Sequence, residues 1–244
     1  MNQVENVLFK HALLKNAALK DKYLGKECYI FLTGPAVNDI NLKKLKNRHT
    51  FICNHFYRHN DVSEMNPTFF SHIENVHKTM RYSNKSEQSI TIINNMLEKC
   101  QNVTFILNRS ALFYIKKLNI ANAHFFASKN KTFDENTCID FTKRSPFLIG
   151  TVYFLLALSI FLGFKKIYLL GAGYTLEPYQ WLHFYDDQNV EFPNELKQKK
   201  PEKEHDIIKK IAIKNGVQII NVIPQGYKSP IYDSMHIDEF NNLI

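Results

Sequence analysis

Polar and aromatic side chains concentrate in one stretch of the sequence, around and after a Gly-rich turn. Its candidate members, in chain order, are Gly171, Gly173, Tyr174, Tyr179, Trp181, His183, Tyr185, Asp186 and Asp187. Tyrosine hydroxyls and an imidazole can bind a phosphate group or move a proton. An aromatic loop that packs against a sheet would have the same composition, so the sequence leaves a purely structural role open.

Two segments that follow predicted strands carry further candidates for ligand binding. Thr33, Gly34 and Pro35 form a turn in which a glycine lets a ligand approach the backbone and N–H groups can bind phosphate. A plain β-turn is the alternative. Asn54 follows the next strand, and its amide can both donate to and accept from a nucleobase or a sugar. An asparagine that caps a turn would look the same.

His205 follows a lysine-rich stretch at the predicted start of a helix. A helix start favours the neutral imidazole that a general base requires, although the residue could also simply begin the helix. Two other histidine pairs, 55/59 and 72/77, have spacings of four and five residues, and a pair on a helix could bind zinc. The region does not have a helical pattern and offers no third ligand, so we expect no metal site and no cofactor.

The elements that must position these residues alternate between strands and helices. Strands are predicted at 28–36, 49–56, 102–107, 123–128, 165–173 and 217–224, and helices at 5–24, 86–99, 110–118, 146–162 and 205–216. This order predicts an α/β fold, a Rossmann-like and mostly parallel sheet with helices on both faces. We divide the chain into an N-terminal helix, 1–23, and a single α/β domain, 24–244, with a lid loop at about 177–204. Ligands bind at the carboxyl ends of such strands, which places the candidates at one edge.

Composition limits the classes of protein that remain. The chain of 244 residues is 45% hydrophobic and 22% charged, which excludes disorder as the main state. Its formal net charge of +8 suits nucleic acid, an anionic membrane face or a phosphate-bearing substrate, with a solvated Lys-rich surface as the plain alternative. The uncharged run 147–163 is short for a membrane span, and we predict a buried helix. The first twenty residues lack a signal-peptide pattern, and we expect a cytoplasmic protein.

Several blocks of the sequence resemble the small bacterial sialyltransferases of glycosyltransferase family 42. They also resemble the related domain of flagellin-glycosylation accessory factors and of archaeal pterin pyrophosphokinase-like proteins. The blocks are TGPAVNDINLKKLKN, FICNHFY, MNPTFF, IGTVYFLLALSIFLGFKKIYLLGAGY, HFYDD and VQIINVIP. The resemblance extends over roughly residues 24–230, and the second block and the GFKKIYLLG part of the fourth are the most specific.

The resemblance implies a metal-independent transfer of a sialic-acid-type (nonulosonic) sugar from a CMP donor. The acceptor would be a cell-surface glycan such as lipopolysaccharide or capsule, reached at the inner face of the cytoplasmic membrane. Asn54 would contact the donor sugar or nucleotide, with Asn66 beside it. Thr33 and Gly34 would contact the phosphate, and Thr151 would match the family's Ser/Thr at a helix start.

For catalysis, the resemblance implies that Tyr174 and Tyr179 stabilise the leaving phosphate and that a histidine is the base. We expect His205 in preference to His183. Nucleic acid is not expected as a partner, and a homo-oligomer is left open. Two alternatives remain: an Mg²⁺-dependent pyrophosphokinase-like enzyme using Asp186 and Asp187, and an inactive nucleotide-binding module.

Overall fold

A parallel β-sheet forms the centre of the protein in a computed structural model, which describes residues 3–74, 83–129, 133–146, 150–176, 178–180, 182–186 and 203–244. The strands are β1 (Glu27–Phe31), β2 (Thr50–Cys53), β3 (Phe69–His72), β4 (Thr104–Asn108), β5 (Ala123–Phe126), β6 (Ser128–Lys129), β7 (Ser145–Pro146), β8 (Lys166–Leu170), β9 (Gln218–Ile223) and β10 (Asp233–His236). Within these residues eight strands form one sheet in the order β10-β9-β8-β1-β2-β3-β4-β5, and β6 pairs with β7 separately. Every neighbouring pair is parallel.

Helices cover both faces of the sheet. They are α1 (Gln3–Leu14), α2 (Val62–Met65), α3 (Ser83–Lys99), α4 (Leu112–Lys117), α5 (Thr151–Phe161), α6 (Lys203–Lys214) and α7 (Ile237–Leu243). Tyr29 and Phe31 belong to the apolar core that contains residues of α3, α4 and α7. Cys28 and Ile30 point to the other core, which contains residues of α5 and α6. Because successive strand residues face opposite sides, the central strands read as continuous apolar runs. The predicted α/β, Rossmann-like class is confirmed.

The strand order reverses between β1 and β8. From β1 the chain proceeds to β5 in one direction, and after β7 it returns to place β8 on the other side of β1. Such a reversal leaves a crevice at the carboxyl ends of the two strands, where ligands bind in open α/β sheets. The segments after β1 and β8 are those that contain the predicted turn glycines.

Several boundaries differ from the sequence prediction. No strand or helix was predicted in the stretch 61–70, which includes α2 and the start of β3, and β10 was not predicted either. The first helix was expected at 5–24, yet its α-helical part ends at Leu14 and a 3₁₀ turn follows. Pro146 does not open the apolar helix, because it lies in β7 and the helix begins at Thr151 after Gly150, whose φ is 98°. Most of the predicted lid, 187–202, lies outside the described residues, as do 177 and 181.

The described part of the apolar run 147–163 forms a buried helix, as predicted. Every residue of α5 from Val152 to Phe161 is buried, and the helix contacts α6 and β1. In the part of the chain that the structure describes, no helix has both the length and the apolar character needed to span a membrane.

Candidate functional site

Two glycines bring the ends of β1 and β8 into close contact at the reversal of strand order. The Gly34 N–H donates to the Gly171 carbonyl at 3.0 Å, and a Cβ on Gly34 would lie 2.6 Å from the same oxygen. Gly171 has a φ of 69°, which favours glycine, and its own Cβ would lie 2.7 Å from Val37 Cγ2. The Gly34 N–H is therefore already engaged by Gly171, and the expected contact of Thr33 and Gly34 with a phosphate stays a prediction.

A cavity of about 290 Å³ lies at this edge of the sheet. Its lining combines predicted and unpredicted residues: Thr33, Asn54, His55, His72, Glu74, Gln88, Ser89, Ile92, His183 and Tyr185. The residues come from the ends of β1, β2 and β3, from α3 and from the segment after β8. Thr33, Asn54 and His183 thus lie together at the carboxyl ends of the strands, as predicted.

Asn54 lies at the centre of a short chain of hydrogen bonds. Its Oδ1 is 3.0 Å from His72 Nδ1, and its Nδ2 donates to Thr151 Oγ1 at 3.5 Å. His72 Nε2 in turn is 2.9 Å from Ser89 Oγ. The backbone of Asn54 has a φ of 49°, a conformation that asparagine tolerates better than most residues. Thr151 is thus next to Asn54, and its role at the donor stays a prediction.

Burial keeps the His72 imidazole neutral. It lowers the pKa of His72 to about 4, with a smaller contribution from the nearby His55. Burial likewise lowers the pKa of His55, and the positive charge of Arg58 and the His183 ring lower it further. The imidazoles of His55 and His72 are therefore neutral at pH 7.

His183 borders the cavity in a fixed orientation. Its Nδ1 lies 2.8 Å from Thr33 Oγ1, and its backbone N–H donates to Asp186 Oδ2 at 2.9 Å. The His183 ring stacks on the Tyr185 ring with centroids 5.0 Å apart. The Arg58 guanidinium lies 4.8 Å from the centroid of the same Tyr185 ring. The segment is also tied to the end of β1, because the Phe184 N–H donates to the Thr33 carbonyl at 2.8 Å.

His205 lies in the protein core and not at the cavity. Its side chain is fully buried near the start of α6. Nδ1 is 3.0 Å from the Tyr232 hydroxyl and Nε2 is 3.0 Å from Thr175 Oγ1, while the Tyr153 ring packs edge-on at 4.7 Å. The preference for His205 as the base is not supported by this placement, because both ring nitrogens already have partners in the interior.

Asn66 lies at the opposite edge of the sheet. It ends α2 in a left-handed conformation with a φ of 50° and is exposed, just before the amino end of β3. Its predicted place beside Asn54 is wrong, because Asn54 follows the carboxyl end of β2. The prediction assumed that the Asn-Pro turn follows a strand. It precedes β3, and the residue of this strand that reaches the carboxyl edge is His72.

The remaining predicted residues are not among those that line the cavity. Tyr174 is 53% exposed and Tyr179 is half-buried. Gly173 allows a close turn, since a Cβ there would lie 2.8 Å from the Pro178 carbonyl oxygen. Pro35 begins a 3₁₀ turn after Gly34. The role of the two tyrosines at a leaving phosphate stays a prediction.

Sequence reasoning missed His72 and Ser89 as members of the site, whereas Tyr185 belongs to the polar and aromatic stretch that it singled out. His72 ends the apolar strand FFSH, and a histidine at the carboxyl end of a buried parallel strand was the available signal. Ser89 lies inside a helix pattern and had no signal of its own. In the described ranges, no group of three His, Cys, Asp or Glu side chains has the arrangement of a metal site. Asp187 lies outside those ranges.

No protein-family model and no curated protein sequence matches the chain. Similar solved structures include the sialyltransferase CST-II in complex with a trisaccharide acceptor and CMP, at 15% identity over 80% of each chain and a TM-score of 0.42. The sialyltransferase Cst-I of Campylobacter jejuni is 16% identical over 81% of this chain and 75% of that one, with a TM-score of 0.43.

A third similar structure is the MAf glycosyltransferase of Magnetospirillum magneticum AMB-1. It is 11% identical, with a TM-score of 0.49, over 94% of this chain but only 38% of that one. The chain therefore spans less than two fifths of the length of this larger protein.

Proposed function

We propose that the protein is a glycosyltransferase that moves a sialic-acid-type sugar from CMP to a glycan acceptor. The observation that carries the proposal is the placement of the Asn54 amide and the His183 imidazole on one cavity at the reversal of strand order. An amide suits a nucleobase or sugar, and an imidazole suits a hydroxyl that must lose a proton. The sequence blocks that resemble family 42 supply the donor class.

In this proposal the acceptor hydroxyl oxygen attacks the anomeric carbon of the donor sugar. The bond from that carbon to the phosphate oxygen breaks, and its electron pair stays on the oxygen of the leaving CMP. The His183 imidazole takes the hydroxyl proton, and the Thr33 hydroxyl, 2.8 Å from Nδ1, orients the ring. The proton then passes to solvent.

The leaving phosphate gains negative charge, and the site offers donors for it. Burial, and the nearby Asp186 carboxylate, raise the pKa of Tyr185 to about 12, so its hydroxyl stays protonated and can donate. The first turn of α5 begins at Thr151, which contacts Asn54. N–H groups and the dipole at a helix start favour a negative group.

The acceptor and the place of action follow from charge and from the family resemblance. A chain with a formal net charge of +8 favours an acidic surface glycan or its membrane carrier, such as lipopolysaccharide or capsule precursors. We infer action in the cytoplasm, peripherally at the inner face of the membrane, without a metal or other cofactor.

A nucleotide panel tests the donor class. Binding of CMP, CTP, UMP and ATP to the purified chain is measured by calorimetry with EDTA and again with Mg²⁺. CMP is expected to bind in EDTA and more tightly than UMP, and CMP-activated nonulosonic sugars should then release CMP when glycan acceptors are added. Mg²⁺-dependent ATP binding would support a pyrophosphokinase-like enzyme, and no nucleotide binding would contradict the proposal.

Replacement of Asn54 tests the residue on which the proposal depends. Asn54→Ala should weaken CMP binding about tenfold or more, because the ligand loses a hydrogen-bonding partner. Asn47→Ala is the matched control, since Asn47 also has a positive φ, 68°, but is exposed before the amino end of β2. Equal CMP affinity in both variants would remove Asn54 from the nucleotide site.

A further inference from the structure

His72 and Ser89 form a buried pair behind Asn54 that the proposed chemistry does not itself use. Both side chains are buried, His72 at the end of β3 and Ser89 in α3. The imidazole lies between the Ser89 hydroxyl at Nε2, 2.9 Å away, and the Asn54 amide oxygen at Nδ1, 3.0 Å away. The pair therefore connects the α3 face of the cavity to the residue at the end of β2.

The chemistry of the three groups determines the direction of each hydrogen bond. An amide oxygen only accepts, so His72 Nδ1 carries the proton. A neutral imidazole then has an accepting Nε2, and the Ser89 hydroxyl donates to it. The chain of donors runs from Ser89 through His72 to Asn54, and the Asn54 Nδ2 group donates onward to Thr151 Oγ1.

We propose that His72 is a positioning residue that holds the Asn54 amide with its NH₂ group available to the ligand. The oxygen of Asn54 is engaged by the imidazole, and the amide nitrogen has a second N–H besides the one directed at Thr151. The ligand atom that Asn54 recognises is therefore a hydrogen-bond acceptor, such as a pyrimidine carbonyl or a phosphate oxygen. This inference rests on the proposed nucleotide-sugar function.

A double-mutant cycle tests whether His72 acts through Asn54. His72→Phe keeps a ring of similar size and removes both hydrogen bonds. It should weaken CMP binding about tenfold in the wild-type background and leave the affinity unchanged in the Asn54→Ala background, because coupled residues are not additive. An equal loss in both backgrounds would overturn the proposal and indicate a direct contact of His72 with the nucleotide or a general structural effect.

Serine replacements provide the matched control for the second member of the pair. Ser89→Ala should weaken CMP binding a few-fold, because the imidazole loses the donor that fixes its ring. Ser159→Ala removes another buried helical hydroxyl, which donates to the Leu155 carbonyl in the core around α5. Equal CMP affinity in the two serine variants would contradict a role for Ser89.

The tautomer of His72 gives a readout that does not depend on nucleotide binding. In ¹⁵N-histidine-labelled protein at pH 7, the His72 ring should be neutral with its proton on Nδ1. A proton on Nε2 would reverse the hydrogen bonds and overturn the proposal even if CMP binds. If the wild type binds no CMP but shows the Nδ1–H tautomer, the proposed function fails while the positioning of Asn54 stands.

Discussion

An imidazole can serve as a base only where its ring nitrogen reaches the substrate, and the two candidate histidines differ in this respect. His183 borders the cavity at the end of β1. The His205 ring is enclosed by Tyr153, Thr175 and Tyr232. The two imidazoles thus lie in different surroundings. His183 borders the cavity, whereas His205 links α6 to the segments after β8 and before β10.

Alanine replacements should separate these roles. His183→Ala should lower the turnover of CMP release about a hundredfold or more with CMP affinity intact, because the base is lost. His205→Ala should lower the free energy of unfolding by roughly 3 kcal/mol, because it leaves a core cavity and two hydroxyls that lose a partner. Urea denaturation and steady-state kinetics on both variants provide the measurements.

His11→Ala is the control for these two variants, since His11 is exposed on α1 and distant in the chain from the cavity residues. It should match the wild type in both turnover and stability. Normal turnover of His183→Ala would remove His183 as the base. Loss of turnover in His205→Ala at unchanged stability would restore the original preference for His205.

At the scale of elements, the junction of β1 and β8 determines where the cavity can form. The strands pair in register from Glu27 with Lys166 to Phe31 with Leu170, and the backbone pairing continues to Gly34 and Gly171. A side chain on Gly34 would meet the Gly171 carbonyl oxygen, which is backbone and cannot rotate away. The close contact between the ends of β1 and β8 therefore requires a residue without a Cβ at position 34.

Gly34→Ala should lower the free energy of unfolding by about 3 kcal/mol through this overlap. Gly25→Ala is the comparison, because Gly25 has a φ of 80° but nothing within 4 Å of an added Cβ. Its cost should be about 1 kcal/mol from backbone strain alone. Chemical denaturation of both variants measures the difference, and an equal loss would show that the strand ends can separate without penalty.

The sequence predicted elements well where an apolar run was long and poorly where pairing alone makes a strand. The strand at 165–173 and the helix that ends before Gly163 were recognisable from their apolar residues. By contrast, β10 has the sequence DSMH, half-exposed or exposed throughout, and it is a strand only because β9 pairs with it. The same holds for the site: Asn54 could be placed from its strand, while Ser89 reaches the cavity through the packing of α3.

For the molecule as a whole, the burial of α5 determines how the chain should behave in solution. The least polar segment of the chain packs between the sheet and α6, and the surface has an excess of positive charge. The purified chain should therefore remain in solution without detergent when high salt screens this charge. Size-exclusion chromatography with and without detergent checks this, and strict dependence on detergent would contradict the buried helix.

The position of β1 in the middle of the sheet has a consequence for synthesis on the ribosome. One side of β1 pairs with β2, which follows closely in the chain, but the other side pairs with β8. A nascent chain therefore carries an open, apolar strand edge while more than one hundred further residues are translated. Unpaired strand edges can pair with other chains. The incomplete nascent chain is therefore the form that most needs a chaperone.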